Sequence, residues 1–286
     1  MNLYLRANEL IWRLLPAKLR KSSAVYWYGT LLHRLVCRRS NRRQYTGTFF
    51  LRNRPELEQM RRVAAAKTQG AELRIAVLGC SIGAETYSVL WTIRSARPDL
   101  QVRVHAVDIS REVLDVAAKG VYTSETSGMV QESIFERMTE AETRAMFDWQ
   151  GDRATVKPWL REGINWHLGD ASDPQLIRLL GPQDMVIASN FLCHMEPEPA
   201  EKCLRNISRL VDRDGCIFVL GVDLDVRAKV ARDLGWRPVT DLIREIHDGD
   251  PSVRGDWPWK WWGLEPLNDR RPDWQMRYAV AYWMPQ

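Results

Sequence analysis

Residues Arg74 to Ser88, RIAVLGCSIGAETYS, begin as a short apolar strand, Ile75-Ala76-Val77-Leu78. The strand breaks into a small-residue turn, Gly79-Cys80-Ser81-Ile82-Gly83, and a helical run follows from Ala84. The turn needs glycines because the backbone must bend sharply and let a ligand come close, where a Cβ would clash. Strand, glycine turn and helix form the opening unit of a nucleotide-binding α/β sheet. The Gly-x-x-x-Gly spacing lacks the third glycine of the dinucleotide fingerprint, so an ordinary βα turn also fits it.

A second strand, Val102 to Val107, ends in Asp108. An acidic residue there can accept from both ribose hydroxyls of a nucleotide. Together the two stretches point to an adenosine-containing ligand and leave dinucleotide and S-adenosylmethionine both open.

At 286 residues the chain can bury one large core, or one domain with additions. A hydrophobic content of 45% with 27% charged residues fits a soluble globular protein. The five cysteines, Cys37, Cys80, Cys193, Cys203 and Cys216, form no C-x-x-C pair, which argues against zinc and disulfide frameworks and suits a reducing cytoplasm. The histidines share no metal-binding spacing. No apolar run approaches the ~20 residues of a membrane span. Arg6, Glu9 and Arg13 come too early for a secretory signal core.

Charge is unevenly placed. Residues 1–62 carry 14 Lys and Arg against 3 acidic residues, a net of +11; the remainder nets −6, giving the overall +5. Apolar residues in this basic stretch, Leu10, Ile11, Trp12, Leu14, Leu15 and then Tyr26, Trp27, Tyr28, Leu31 and Leu32, recur at helical spacing. Such a segment reads either as a helical cap on the core or as a basic amphipathic surface for anionic lipid or an acidic partner. The expected location is cytoplasmic, with the inner membrane face as a peripheral site. No nucleic-acid recognition motif accompanies the charge.

Thr46-Gly47-Thr48-Phe49-Phe50-Leu51-Arg52 resembles the N-x-T-x-F-F-R segment of chemotaxis-receptor methyltransferases, the CheR type. The glycine loop, Ser81 to Ser88, resembles that family's S-T-G-E-E-x-Y-S. Asp108-Ile109, Gly120-Val121-Tyr122, Ile164 to Asp170, Asp184 to Leu192 and Leu210 to Gly221 resemble further family segments in the same order, so the likeness spans about residues 45–222. It implies a class I S-adenosylmethionine-dependent methyltransferase. Under it, Thr46, Thr48 and Arg52 fold over the cofactor. Gly79, Ser81 and Gly83 form its loop, Glu85 faces its ammonium, and Asp108 and Ile109 take the ribose. Asp170 and Ala171 read the adenine, while Asn190 and Phe191, at the end of the fourth strand, also contact the cofactor. Tyr87 packs near the cofactor and, with Arg52 and His194, is a candidate for the catalytic set.

Two departures bear on the acceptor. Ser189 stands where the family has an arginine before the fourth-strand asparagine, and His194 where it has a tyrosine. An arginine fork is the natural partner of a carboxylate, so its loss argues against a glutamate acceptor. A histidine can take a proton near neutral pH. The favoured expectation is methyl transfer to oxygen, with nitrogen close behind, of a small molecule such as a specialised metabolite or lipid-linked compound. The alternatives are a protein-glutamate carboxyl methyltransferase and a non-catalytic S-adenosylmethionine sensor or adaptor.

Residues 123–163 carry helical patterning, and Thr139 to Glu142 look like a capped helix start. The C-terminal part is rich in tryptophan: Trp236, Trp257, Trp259, Trp261, Trp262, Trp274 and Trp283. The Trp257 to Trp262 run would form an aromatic wall for a flat or cationic acceptor, or a packed loop over the sheet edge. Arg277 to Met284 reads as the last strand. The expected architecture is α/β. A basic helical segment with the cofactor-covering motif occupies 1–70. A Rossmann-like sheet of about seven strands fills 71–286, with the Trp-rich extension starting at about 223.

Overall fold

The computed structural model describes residues 2–16, 19, 22, 24–25, 27–29, 31–32, 47–126, 132–249 and 267–285. Thr46 and the tryptophans at 257, 259, 261 and 262 lie outside them.

The chain opens with helix α1, Asn2–Leu14. Helix α2, Arg54–Ala65, precedes β1, Glu72–Leu78, and α3, Ala84–Ala96. Then come β2, Gln101–Asp108, and α4, Arg111–Lys119. A short excursion holds β3, Val121–Thr123, α5, Glu140–Met146, β4, Phe147–Gln150, β5, Arg153–Val156, and α6, Pro158–Arg161. Next are β6, Ile164–Leu168, α7, Gln175–Leu180, β7, Gln183–Ser189, α8, Pro197–Ile207, and β8, Val211–Leu220. The last elements are α9, Leu224–Asp233, β9, Arg237–Pro238, α10, Ile243–Asp248, α11, Trp274–Tyr278, and β10, Ala281–Trp283.

Seven strands form one sheet in the order β6-β2-β1-β7-β8-β10-β9. The β6 to β8 pairings are parallel, and β10 lies antiparallel between β8 and β9. Central strands of such a sheet are covered on both faces, so they read as continuous apolar runs. Ile75, Val77, Met185, Ile187 and Phe218 pack toward α2 and α3. Ala76, Leu78, Val186, Ala188 and Val219 pack toward α8 and α9. At the start of β7 the Asp184 carboxylate accepts from Lys67 Nζ at 2.7 Å and from the Arg74 amide at 2.7 Å, fixing β1 against β7.

Residues 121–156 depart from the expected helical excursion. They build a three-stranded antiparallel sheet, β3-β5-β4, with only α5 helical among the described elements before β4. The cause is packing: Phe50, Tyr122, Phe135 and Phe147 meet in edge-to-face and stacked pairs, with Phe50 4.9 Å from Phe147. Such a cluster holds the strands where local helical patterning would not. The capped start is present: Thr139 Oγ accepts from Glu142 N, and Glu142 accepts from Thr139 N at 2.8 Å.

The expected terminal strand from Arg277 is also shorter. Trp274–Tyr278 is helical, and only Ala281–Trp283 pairs with β8. Arg277 is buried and pairs with Asp225 at 2.6 Å, while Tyr282 Oη donates to Met276 O at 2.8 Å, which curls the chain before β10.

In α1, Trp12 packs with Leu32, while Leu10, Ile11 and Leu14 on the other stripe are exposed, Leu14 by 82%. Among the described residues no helix is long and apolar enough to cross a membrane.

Candidate functional site

The strand order reverses between β1 and β7, and a cleft opens at the carboxyl ends of the strands there. Its open space, mouth included, is about 1260 Å³.

The glycine turn forms the cleft's floor. Gly79 N and Cys80 N both donate to Val107 O, at 2.8 and 3.1 Å, tying β1 to β2. Gly79 has φ 71°. A Cβ on it would sit 2.9 Å from Phe191 Cδ1, so only glycine fits. Ser81, at φ 50°, donates its amide to Asp108 Oδ2 at 2.9 Å. Ser110 N donates to Asp108 Oδ1 at 3.0 Å. Two amides thus fix the carboxylate at the end of β2, and its remaining lone pairs can accept from two hydroxyls.

The opposite wall follows β7. Asn190 is held at φ 61° by its amide donating to Leu220 O at 2.8 Å. Left-handed backbone in a non-glycine residue beside a cavity is a strain that the surroundings enforce. The chain then turns through Phe191 to His194, whose amide donates to Phe191 O at 3.1 Å.

The third wall is the start of α2. Asn53 is its N-cap, accepting from Glu56 N at 3.2 Å, while Asn53 Nδ2 donates to Ile246 O at 3.0 Å. The Glu56 side chain turns into the cleft instead of back onto the cap. Ser189 Oγ donates to Glu56 Oε1 at 3.3 Å. The preceding segment is anchored twice: Leu51 N donates to Ser88 Oγ at 2.9 Å, and Phe50 N to Ile134 O at 3.2 Å.

Charge in the cleft is dense and poorly hydrated. Burial pushes the Glu56 carboxyl up to about 7, opposed by Arg52, the Ser189 hydroxyl and Arg227. Burial, with the Glu56 charge adding to it, pushes Glu85 up to about 8, opposed by Arg52 and Ser189. Arg52 is thus a cation shared by both carboxyls, and Arg227 acts on Glu56 as well. Burial and then Arg52 hold the His194 imidazole below its ordinary value. Desolvated titratable groups converging on a cavity are the physical signature of a working site.

The cleft brings together Thr48, Arg52, Gly79, Ser81, Glu85, Asp108, Ile109, Ala171, Asn190, Phe191 and His194. Tyr87 is not among its lining residues. Its hydroxyl donates to Ala117 O at 2.7 Å, and its ring meets Trp166 at 5.9 Å, so it braces α3 against α4 and β6. Gly83, at φ 90°, starts α3 behind the loop, where a Cβ would meet Ala117 at 3.0 Å. Asp170 stands beside the lining, with Oδ1 accepting from Ser172 N and Oγ at 2.8 and 2.7 Å. Sequence reasoning missed Asn53, Glu56, Met60 and Ser110. The Asn53-x-x-Glu56 spacing was visible, but it spells a helix cap and gives no sign that the glutamate turns inward.

A sheet of this order with one reversed strand, and a cleft at its switch point floored by a glycine turn and an aspartate, defines a Rossmann-like enzyme of the nucleoside-cofactor class. Residues 46–227 match the family described as CheR methyltransferase, SAM binding domain. The chain belongs to the CheR methyltransferase family and carries that family's S-adenosylmethionine-binding domain. It is 25% identical over 151 residues to the probable biofilm formation methyltransferase WspC of Pseudomonas aeruginosa, covering 52% of this chain and 34% of that protein. It is 25% identical over 174 residues to an uncharacterised 104.1 kDa protein of Rhodobacter capsulatus, covering 58% of this chain and 17% of that one. The chain thus spans about a third or less of the curated relatives it matches. Among solved structures, an O-methyltransferase family protein from Burkholderia thailandensis aligns at TM-score 0.41 and 13% identity, covering 65% of this chain and 51% of that chain.

Proposed function

We propose that the protein transfers the methyl group of S-adenosylmethionine to an oxygen or nitrogen of a small-molecule acceptor. Asp108, oriented by the Ser81 and Ser110 amides, takes the ribose hydroxyls. Glu85 takes the ammonium, and Gly79 admits the nucleoside close to the backbone. The bound cofactor supplies a methyl group already activated on a sulfonium, so the side chains need only orient the acceptor, exclude water and manage a proton. His194, neutral at ordinary pH, is one acceptor for that proton.

One observation carries the acceptor reading. Ser189 stands where the resemblance expects an arginine, and its hydroxyl donates to a second buried carboxyl, Glu56. A carboxylate acceptor brought against that wall would meet a desolvated carboxyl in place of the cation that the resemblance expects. The test is incubation with methyl-labelled S-adenosylmethionine and a cell extract separated into protein and small-molecule fractions. Label in the small-molecule fraction is expected. Base-labile label in protein would sink the reading. It would favour the second one, a protein-glutamate methyltransferase, for which Arg52 on the cleft wall is the supporting residue.

A further inference from the structure

Exposed large apolar side chains are concentrated at one end of the chain. Tyr4, Leu10, Ile11 and Leu14 on α1, with Leu19, Trp27 and Leu31 after it, stand in solvent, Leu10 by 62%, Ile11 by 57% and Trp27 by 68%. In the rest of the described chain only Val116, Trp149, Trp159, Leu168 and Leu179 do so, each on a different element. Single exposed apolar residues are ordinary, whereas a grouped set marks a surface that meets something.

The set is not a misplaced core stripe, because α1 already packs through another side. Asn8 and Trp12 are buried there, Trp12 against Leu32, and Tyr28 Oη donates to Asn8 Oδ1 at 2.7 Å. These contacts fix the rotation of the helix. At 3.6 residues per turn, Tyr4, Leu10, Ile11 and Leu14 then share about a third of its circumference.

The charge around the set has one sign. Arg6, Arg13, Lys18, Arg20 and Lys21 interleave with it in sequence, five more Arg follow between positions 33 and 44, and Glu9 is the single acid before position 56. The chain after residue 62 nets −6, so attraction for an anionic surface is confined to this end. An apolar stripe with tryptophan, set among Lys and Arg, is the composition of a helix lying in a membrane interface. Its apolar side chains enter the acyl boundary while the cations meet lipid phosphate. An acidic polymer would satisfy the cations and leave the stripe in water. A second copy of the chain would cover the stripe and set cation against cation.

We propose that this surface docks the protein on a bilayer of anionic phospholipid, with Leu10, Ile11, Leu14 and Trp27 in the interface. The inference is independent of the acceptor, and no residue of the cleft takes part in it.

The test is co-sedimentation of the full chain with sucrose-loaded vesicles. Phosphatidylcholine containing about one third phosphatidylglycerol should bind it at least about tenfold more tightly than phosphatidylcholine alone. Raising the salt from about 0.1 M to about 0.5 M should remove most of that preference. Leu10→Gln combined with Leu14→Gln keeps every positive charge and a good helix former. It should weaken binding to the anionic vesicles by about tenfold or more, with the melting temperature and S-adenosylhomocysteine affinity unchanged. Trp27→Gln, a single exposed change, should act in the same direction by about threefold and serves should the double variant fold poorly.

No binding to anionic vesicles, or equal binding to both kinds, overturns the proposal. Equal vesicle binding by wild type and both glutamine variants overturns it too, since the contact would then be one of charge alone. Poly-glutamate or a DNA duplex held more tightly than the anionic vesicles would give the surface to an acidic polymer instead. A wild-type dimer in analytical ultracentrifugation that the double variant turns to monomer would give the stripe to a second copy, and also overturns it.

Discussion

Ser189 and Glu56, 133 positions apart in the chain, are joined by a hydrogen bond of 3.3 Å between the end of β7 and the first turn of α2. The contact joins two walls of the cleft and places a buried carboxyl between them. It also makes the pH behaviour of the protein predictable.

Glu56 has a native pKa of about 7, above the ordinary carboxyl value of 4.5. Between those values the native state holds a proton that the unfolded chain has released. Stability therefore falls as pH rises through that window and levels off above it. The groups facing Glu56 are Arg52, Glu85, Ser189 and Arg227, with His194 in the same cleft. Glu56→Gln should lose less stability than wild type between about pH 5 and pH 8, by roughly 2–3 kcal/mol. Denaturant titrations of both proteins across that range check this; parallel curves would mean that Glu56 is ionised in the native state throughout.

Cofactor binding should release protons. Glu85, raised to about 8, is largely protonated in the free protein at neutral pH, and an arriving ammonium favours its charged form. Affinity for S-adenosylmethionine is therefore expected to rise with pH up to about 8 and then level off. Calorimetry in buffers of different ionisation enthalpy measures the release, and buffer-independent heats would rule it out.

Asp108→Ala removes the acceptor of the Ser81 and Ser110 amides along with the proposed ribose ligand. Loss of charge-assisted hydrogen bonds should weaken S-adenosylmethionine by about 2–4 kcal/mol. An unchanged dissociation constant would remove Asp108 from the ribose site.

His194→Ala should lower turnover by about a hundredfold, with cofactor affinity changed by less than about threefold, if its imidazole handles the acceptor's proton. Turnover equal to wild type would leave His194 as a wall of the cleft alone.

The first helix offers an outcome of its own. Leu10, Ile11 and Leu14 form an exposed stripe in a segment where residues 1–62 carry a net +11. Vesicles containing anionic lipid should retain the full chain and release a form lacking residues 1–40. Equal flotation of the two forms would reject a membrane role for this stripe.

The central sheet was legible because Ile75 to Leu78 and Met185 to Ala188 are buried on both faces and carry no competing signal. The Gly79 turn and Asp108 were legible because backbone geometry and hydrogen-bonding chemistry restrict those positions to few residue types. Glu56 was not. Its spacing from Asn53 is that of a helix cap, and only the tertiary placement of Ser189 turns its side chain into the cleft. Tyr87 misled in the opposite sense: it follows the glycine loop in sequence, but helical geometry sends its ring to the far side of α3. The small β3-β5-β4 sheet was hidden because its strands are held by Phe50, which lies far upstream.

That same Phe50 decides how the cleft can change. The Thr48 to Arg52 segment is not a hinged flap. Phe50 is fully buried within the aromatic cluster of the small sheet, and its neighbour Leu51 is tethered to α3 through Ser88. The Thr48 to Arg52 segment and the excursion therefore form one mechanical part, seated beside the sheet that carries the Gly79 turn and Asp108. Lengthening or trimming the excursion would shift the Thr48 to Arg52 side of the cleft while sparing the Gly79 turn and Asp108. On the proposed reading, a lineage built on this plan can change its acceptor without relearning how to hold its methyl donor.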